Sequence, residues 1–79
     1  MTLELDLHGK TCDEAIYLLQ RTIVQNPTCD RIDVIHGFNN GCVLKNLLVK
    51  KENIHSKRVV CTRPDPYNMG RTTIFLRIV

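Results

Sequence analysis

Leu3, Leu5 and Leu7 alternate with Glu4, Asp6 and His8, a period of two that predicts a half-buried strand over residues 3–8. Gly9-Lys10 interrupts the alternation. Thr11 followed by Glu14 forms a capping box, and Ala15, Ile16, Leu19 and Ile23 then recur at helical spacing. This pattern predicts a helix running to about Gln25 and ended by Asn26-Pro27. Residues 31–36 are rich in β-branched side chains and predict a second strand, stopped by the turn Gly37-Phe38-Asn39-Asn40-Gly41. A short second helix is expected next, with Val43, Leu44, Leu47 and Leu48 on its apolar face and Lys45, Lys50 and Lys51 elsewhere. Residues 57–63 predict a third strand, residues 64–71 a turn-rich loop, and residues 72–79 a fourth, alternating strand.

The order strand, helix, strand, helix, strand, strand predicts an α/β (α+β) two-layer sandwich, βαβαββ, with a four-stranded mixed sheet. Right-handed crossovers make the first three strands parallel, and the last can turn back antiparallel. Glu4, Asp6, His8, Asp33, Arg58 and Arg77 all fall on predicted strands, so one sheet face should be open and both helices should cover the other. With 79 residues and no repeat or linker, residues 1–79 are expected to form one domain. A chain of this size buries only about 60% of its unfolded surface, which argues against a deep, enclosed active site. No uncharged stretch approaches the roughly 20 apolar residues of a membrane span, and the expectation is a soluble, cytoplasmic domain without membrane association.

Cys12, Cys29, Cys42 and Cys61 lie 17, 13 and 19 residues apart, with no close pair of the kind zinc or redox centres use, and free thiols are expected. Cys42 alone would fall in the first turn of a helix, where the dipole favours thiolate, but no base adjoins it in sequence. Charge is unevenly placed: residues 1–36 carry three basic and six acidic groups, residues 37–79 eight basic and two acidic. A basic half is what an anionic partner such as nucleic acid would use.

Parallel strands end at one edge of their sheet, where open α/β folds bind ligands. The first strand delivers Asp6 and His8 to that rim, the second His36 and its glycine-asparagine turn, the third Arg63 and the loop with Tyr67 and Arg71. An imidazole beside a carboxylate suits acid-base chemistry on a phosphodiester, and the carboxylate could instead hold Mg²⁺ or Mn²⁺. Phe38 and Tyr67 are aromatic groups in rim loops, where they can stack on bases or fold back over the core. His55 falls in a polar connection and carries no functional expectation.

These residues resemble the small MutS-related (Smr) domain family. The resemblance rests on Leu5-Asp6-Leu7-His8-Gly9, on Thr11 and Glu14-Ala15 in the following helix, on Val34-Ile35-His36-Gly37 and on the late step Gly70-Arg71-Thr72. It spans residues 3–76. Three positions depart from the pattern: Asn39 and Asn68 stand where the family usually has glycine, and Leu44 where many members have arginine. Asparagine tolerates positive φ better than other non-glycine residues, so both turns should keep their shape while gaining side chains able to bond a ligand. The resemblance implies the strand order 1-2-4-3 with the last strand antiparallel, as in the related C-terminal domain of bacterial translation initiation factor three.

It also implies a nucleic-acid-binding domain with endonuclease activity on DNA or RNA. Asp6, His8 and His36 are the candidate catalytic residues, with Asp6 the candidate ligand of any Mg²⁺ or Mn²⁺ ion. Lys10, Gly37, Phe38, Asn39, Asn40, Gly41, Lys45, Arg63, Tyr67, Asn68, Gly70 and Arg71 are the candidate nucleic-acid contacts, to which a protein partner could add others. The rival reading is a binding-only nucleic-acid or protein interaction module whose histidines are structural. An unrelated enzyme, such as a phosphatase using the anion site that the amino end of the second helix offers at this rim, stands third.

Overall fold

A computed structural model of the chain describes residues 1–37 and 43–78. Its elements run β1 (Thr2–Asp6), α1 (Cys12–Gln25), β2 (Arg31–Ile35), α2 (Val43–Val49), a 3₁₀ turn (Lys51–Ile54), β3 (Val59–Pro64) and β4 (Arg71–Leu76). The strands form one mixed sheet in the order β1-β2-β4-β3. β1 and β2 are parallel, and β4 is antiparallel to both β2 and β3. This is the predicted topology. The carboxyl ends of β1, β2 and β3 share one edge of the sheet with the start of β4.

Period two separates the two faces. Leu7, Ile32, Val34, Ile74 and Leu76 point to the helix side, where they pack with Ala15, Leu19 and Ile23 of α1, Leu44 and Leu48 of α2 and Ile54 of the 3₁₀ turn. Each fully buried aliphatic side chain here contributes about 1.5–3 kcal/mol relative to exposure. Val43, expected on the apolar face of α2, is exposed instead. It opens the helix and lies about 100° of helix rotation from Leu44, the first residue of α2 to enter the core.

The capping box of α1 forms as predicted: Glu14 N donates to Thr11 Oγ1 at 3.2 Å, and Thr11 N donates to Glu14 Oε1 at 3.0 Å. The other end of α1 holds a feature absent from the sequence reading. Arg58 precedes β3 rather than lying on the open face, and its guanidinium folds back under the helix. Nη1 donates to the carbonyls of Ile23 and Asn26, Nη2 to those of Pro27 and Cys29, and Nε to that of Arg77. Five N–H groups thus meet five carbonyls, that of Ile23 in the last turn of α1 among them, and the cation faces the negative end of the helix dipole.

The open face is crossed by a row in register: Glu4 beside Asp33, Asp33 beside Thr73, and Thr73 beside Arg63. Two carboxylates on adjacent strands repel, and Arg71 relieves the repulsion. Its Nη2 donates to Glu4 Oε2 at 3.2 Å and to Asp33 Oδ2 at 3.3 Å, while Thr73 Oγ1 donates to Asp33 Oδ1 at 3.0 Å.

Candidate functional site

Asp6 is the last residue of β1, and its side chain leaves on the open face, opposite buried Leu7. Asp6 Oδ1 accepts from His8 N at 3.1 Å, an Asx turn that bends the chain as it leaves the strand. The same oxygen lies 2.5 Å from His8 Nδ1. Both bonds favour the ionised carboxylate: the imidazole bond first, then the backbone amide, hold Asp6 below its ordinary range. A carboxylate only accepts, so Nδ1 carries the proton and Nε2 is the outward nitrogen. The His8 side chain is 64% exposed, which leaves Nε2 open to solvent.

The turn past His8 depends on two glycines. Gly9 has φ +75° and Gly37 has φ +71°, backbone conformations that a Cβ disfavours. A Cβ on Gly37 would also sit 3.4 Å from His8 Cβ, whereas one on Gly9 would meet nothing within 4 Å. That is an ordinary van der Waals contact, so both positions call for glycine through their backbone conformation.

His36 does not join His8. It follows β2 on the helix side of the sheet, like Ile32 and Val34, and is buried. His36 is thus buried with the helix-side packing, whereas His8 is exposed beside Asp6, and of the three candidate catalytic residues only Asp6 and His8 are hydrogen-bonded to each other. Both ring nitrogens of His36 are engaged: Nδ1 at 3.3 Å from the Gly37 carbonyl and Nε2 at 2.9 Å from Thr72 Oγ1. A carbonyl can only accept, so Nδ1 donates and Nε2 accepts from the threonine hydroxyl, the pattern of a neutral imidazole. Burial lowers its pKa most, and the Lys45 charge adds to the effect. The backbone around it is bolted to the β3–β4 loop, since His36 N and Gly37 N both donate to the Gly70 carbonyl, at 2.8 and 3.1 Å.

The remaining sequence candidates do not gather at one place. Lys10, Gly37 and the amino ends of α1 and α2 surround a cleft of about 240 Å³, with His36 and Cys12 in its lining. Cys12 was not singled out by sequence, and its only signal is its position directly after the Thr11 cap. Lys45 lies on α2, close enough to act on His36. Tyr67 is 97% exposed, so it does not fold back over the core. Arg63 is on the open-face row at the carboxyl end of β3. Phe38, Asn39, Asn40, Gly41 and Cys42 lie outside the described residues.

Two candidates are used differently from the expectation. Arg71 is the first residue of β4, not a loop residue, and is committed to Glu4 and Asp33. Asn68 has no positive φ; instead its Oδ1 accepts from Gly70 N at 2.9 Å, so the oxygen expected to meet a ligand closes the turn. Among the described residues there is no cluster of three or more histidine, cysteine or carboxylate groups able to hold a metal ion. Among the described residues, Asp6 is the one carboxylate bonded to His8, and its Oδ1 already accepts twice. This donor set does not fit an Mg²⁺ or Mn²⁺ ion.

A mixed β1-β2-β4-β3 sheet under two helices, with an Asp-His pair at the parallel edge, has the fold of a solved Smr domain. Among solved structures, the chain matches the crystal structure of the Smr domain of Thermus thermophilus MutS2 with a TM-score of 0.74 and 23% sequence identity, over 94% of this chain and 96% of that one. That likeness establishes the fold. No family model and no curated protein matches the chain. Among the described residues, no helix is long and apolar enough to cross a membrane.

Proposed function

We propose that this chain is a nucleic-acid-binding domain that cleaves phosphodiester bonds at the Asp6–His8 edge. The observation that carries the reading is the oriented dyad, in which a carboxylate fixes Nδ1–H of an exposed imidazole and leaves Nε2 facing outward. That arrangement is a general base with its positioning group. Nε2 takes the proton of the attacking hydroxyl or water, and Asp6 stabilises the imidazolium that results. The new P–O bond forms as the leaving oxygen departs, and that oxygen receives a proton from the imidazolium, directly or through water. Lys10 is the nearest cation in sequence to the developing phosphorane charge, and Lys45 and Arg63 are the other rim cations.

His36 enters this mechanism only as a structural residue, tying Gly37 and Thr72 together behind the dyad. The donor set gives a metal no part in it. Purified protein incubated with labelled single-stranded RNA and with supercoiled plasmid should cut at least one of them, and a chelator should leave the rate unchanged. Asp6→Asn should slow cleavage by about 100-fold or more, because an amide can favour the wrong tautomer of His8. Loss of all cleavage in chelator, restored by Mn²⁺ or Mg²⁺, would overturn the metal-free dyad.

A further inference from the structure

At the rim Arg71 is held by two carboxylates, which leaves Lys10, Lys45 and Arg63 as its cations. The opposite end of the sheet carries a second group. Around the amino end of β3 and the exit of β4, Lys51, Lys57 and Arg77 line an open groove of about 550 Å³ together with His55, and Glu52 is its one carboxylate among the described residues. The groove is built on fixed backbone. Arg77 N donates to the Arg58 carbonyl at 2.7 Å, and Arg58 Nε returns a bond to the Arg77 carbonyl, so the two chain segments are clamped while the Arg77 and Lys57 side chains stay exposed. Lys51 Nζ donates to the carbonyl of Val60 at 3.3 Å, which holds a third cation over the edge strand.

Resting on the reading of the Asp6–His8 edge as a nucleic-acid site, we propose that this groove is a second phosphate-backbone contact on the same strand. The distance between the two sites sets the length of strand needed. β3 rises about 3.3 Å per residue, so its six residues separate the two ends of the sheet by about 17 Å, and three strand spacings of about 4.8 Å separate β1 from β3. The diagonal is therefore about 22 Å. A stacked strand advances about 3.4 Å per nucleotide, so about six or seven nucleotides are required to touch both sites. A strand of four reaches only one.

The test measures binding of single-stranded DNA and RNA oligonucleotides of about 4 and about 12 nucleotides to the wild-type chain and to Lys57→Glu/Arg77→Glu. Thermal unfolding by circular dichroism accompanies each measurement, and Lys57→Gln/Arg77→Gln serves as a milder second pair. In the wild type, the 12-mer should bind at least tenfold more tightly than the 4-mer, with a salt slope steeper by about one to two, near −0.7 per added phosphate contact. In the charge-reversed protein the gain with length should vanish while affinity for the 4-mer stays within about twofold of wild type. Equal affinity of wild type and both variants for the 12-mer would overturn the second contact and leave the Asp6–His8 site standing. A wild type that binds neither length would overturn both.

Discussion

Two glycines with nearly the same φ separate a conformational effect from a contact effect. At either position an alanine must adopt a left-handed backbone, at a cost of about 1–2 kcal/mol. Only at position 37 does the new Cβ reach His8, and there in ordinary van der Waals contact. Gly9→Ala and Gly37→Ala should therefore lose similar stability in urea denaturation. A distinctly larger loss for Gly37→Ala would mean that the contact with His8, and not the backbone conformation, dominates there. His36 offers a second residue-scale test. Its folded-state pKa is depressed by burial, so as pH falls the unfolded chain binds this proton first. The stability tied to neutral His36 is complete above its unfolded value of about 6.5 and is lost as pH falls through the folded value. The urea midpoint should fall between pH 7 and pH 5 in the wild type and fall less in His36→Gln. The hydrogen-bonded carboxylates Asp6, Glu14 and Asp30 are all held low and titrate below this window. An identical pH slope in His36→Gln would show that the neutral imidazole is not what the fold protects.

Helix α1 shows which features of an element are legible in sequence. Its amino end was readable because Thr11 and Glu14 are three residues apart and cap each other locally. Its carboxyl end was not, because the capping group is Arg58, 35 residues after Ile23 in sequence. The alternation of β-strands led instead to Arg58 on an open face. Its hydrogen bonds to five carbonyls, made by a charged donor, are a large stabilising unit for a chain this short. Arg58→Ala should cost about 2–4 kcal/mol and lower Tm by at least about 10 °C in calorimetry. Arg77→Ala, which leaves its backbone partner groups in place, should shift Tm little. A small shift for Arg58→Ala would mean that water replaces the guanidinium without loss. The same limit hid the role of Arg71: the sequence places it after a glycine in a turn-rich stretch, and only the register of β1, β2 and β4 brings it to Glu4 and Asp33.

Across the whole molecule, topology was legible because the period-two and helical patterns were clean and the strand ends were marked by glycine, proline and asparagine. The dyad was legible too, since two residues apart on a strand end is a local relation. What periodicity left ambiguous was the face on which each histidine leaves the sheet edge, as His8 lies past the end of β1 and His36 continues the buried alternation of β2. One imidazole is consequently exposed and paired with Asp6, and the other is buried and neutral. The uneven charge is also resolved by the fold, because part of the basic half is spent on internal carbonyls and carboxylates and the remainder is divided between the two ends of the sheet. If exposed His8 performs the chemistry, His8→Ala should cleave more slowly by about 10² to 10⁴-fold while its nucleic-acid affinity, measured on the same preparation, stays within about twofold of wild type. Cleavage at the wild-type rate would show that another group does the chemistry.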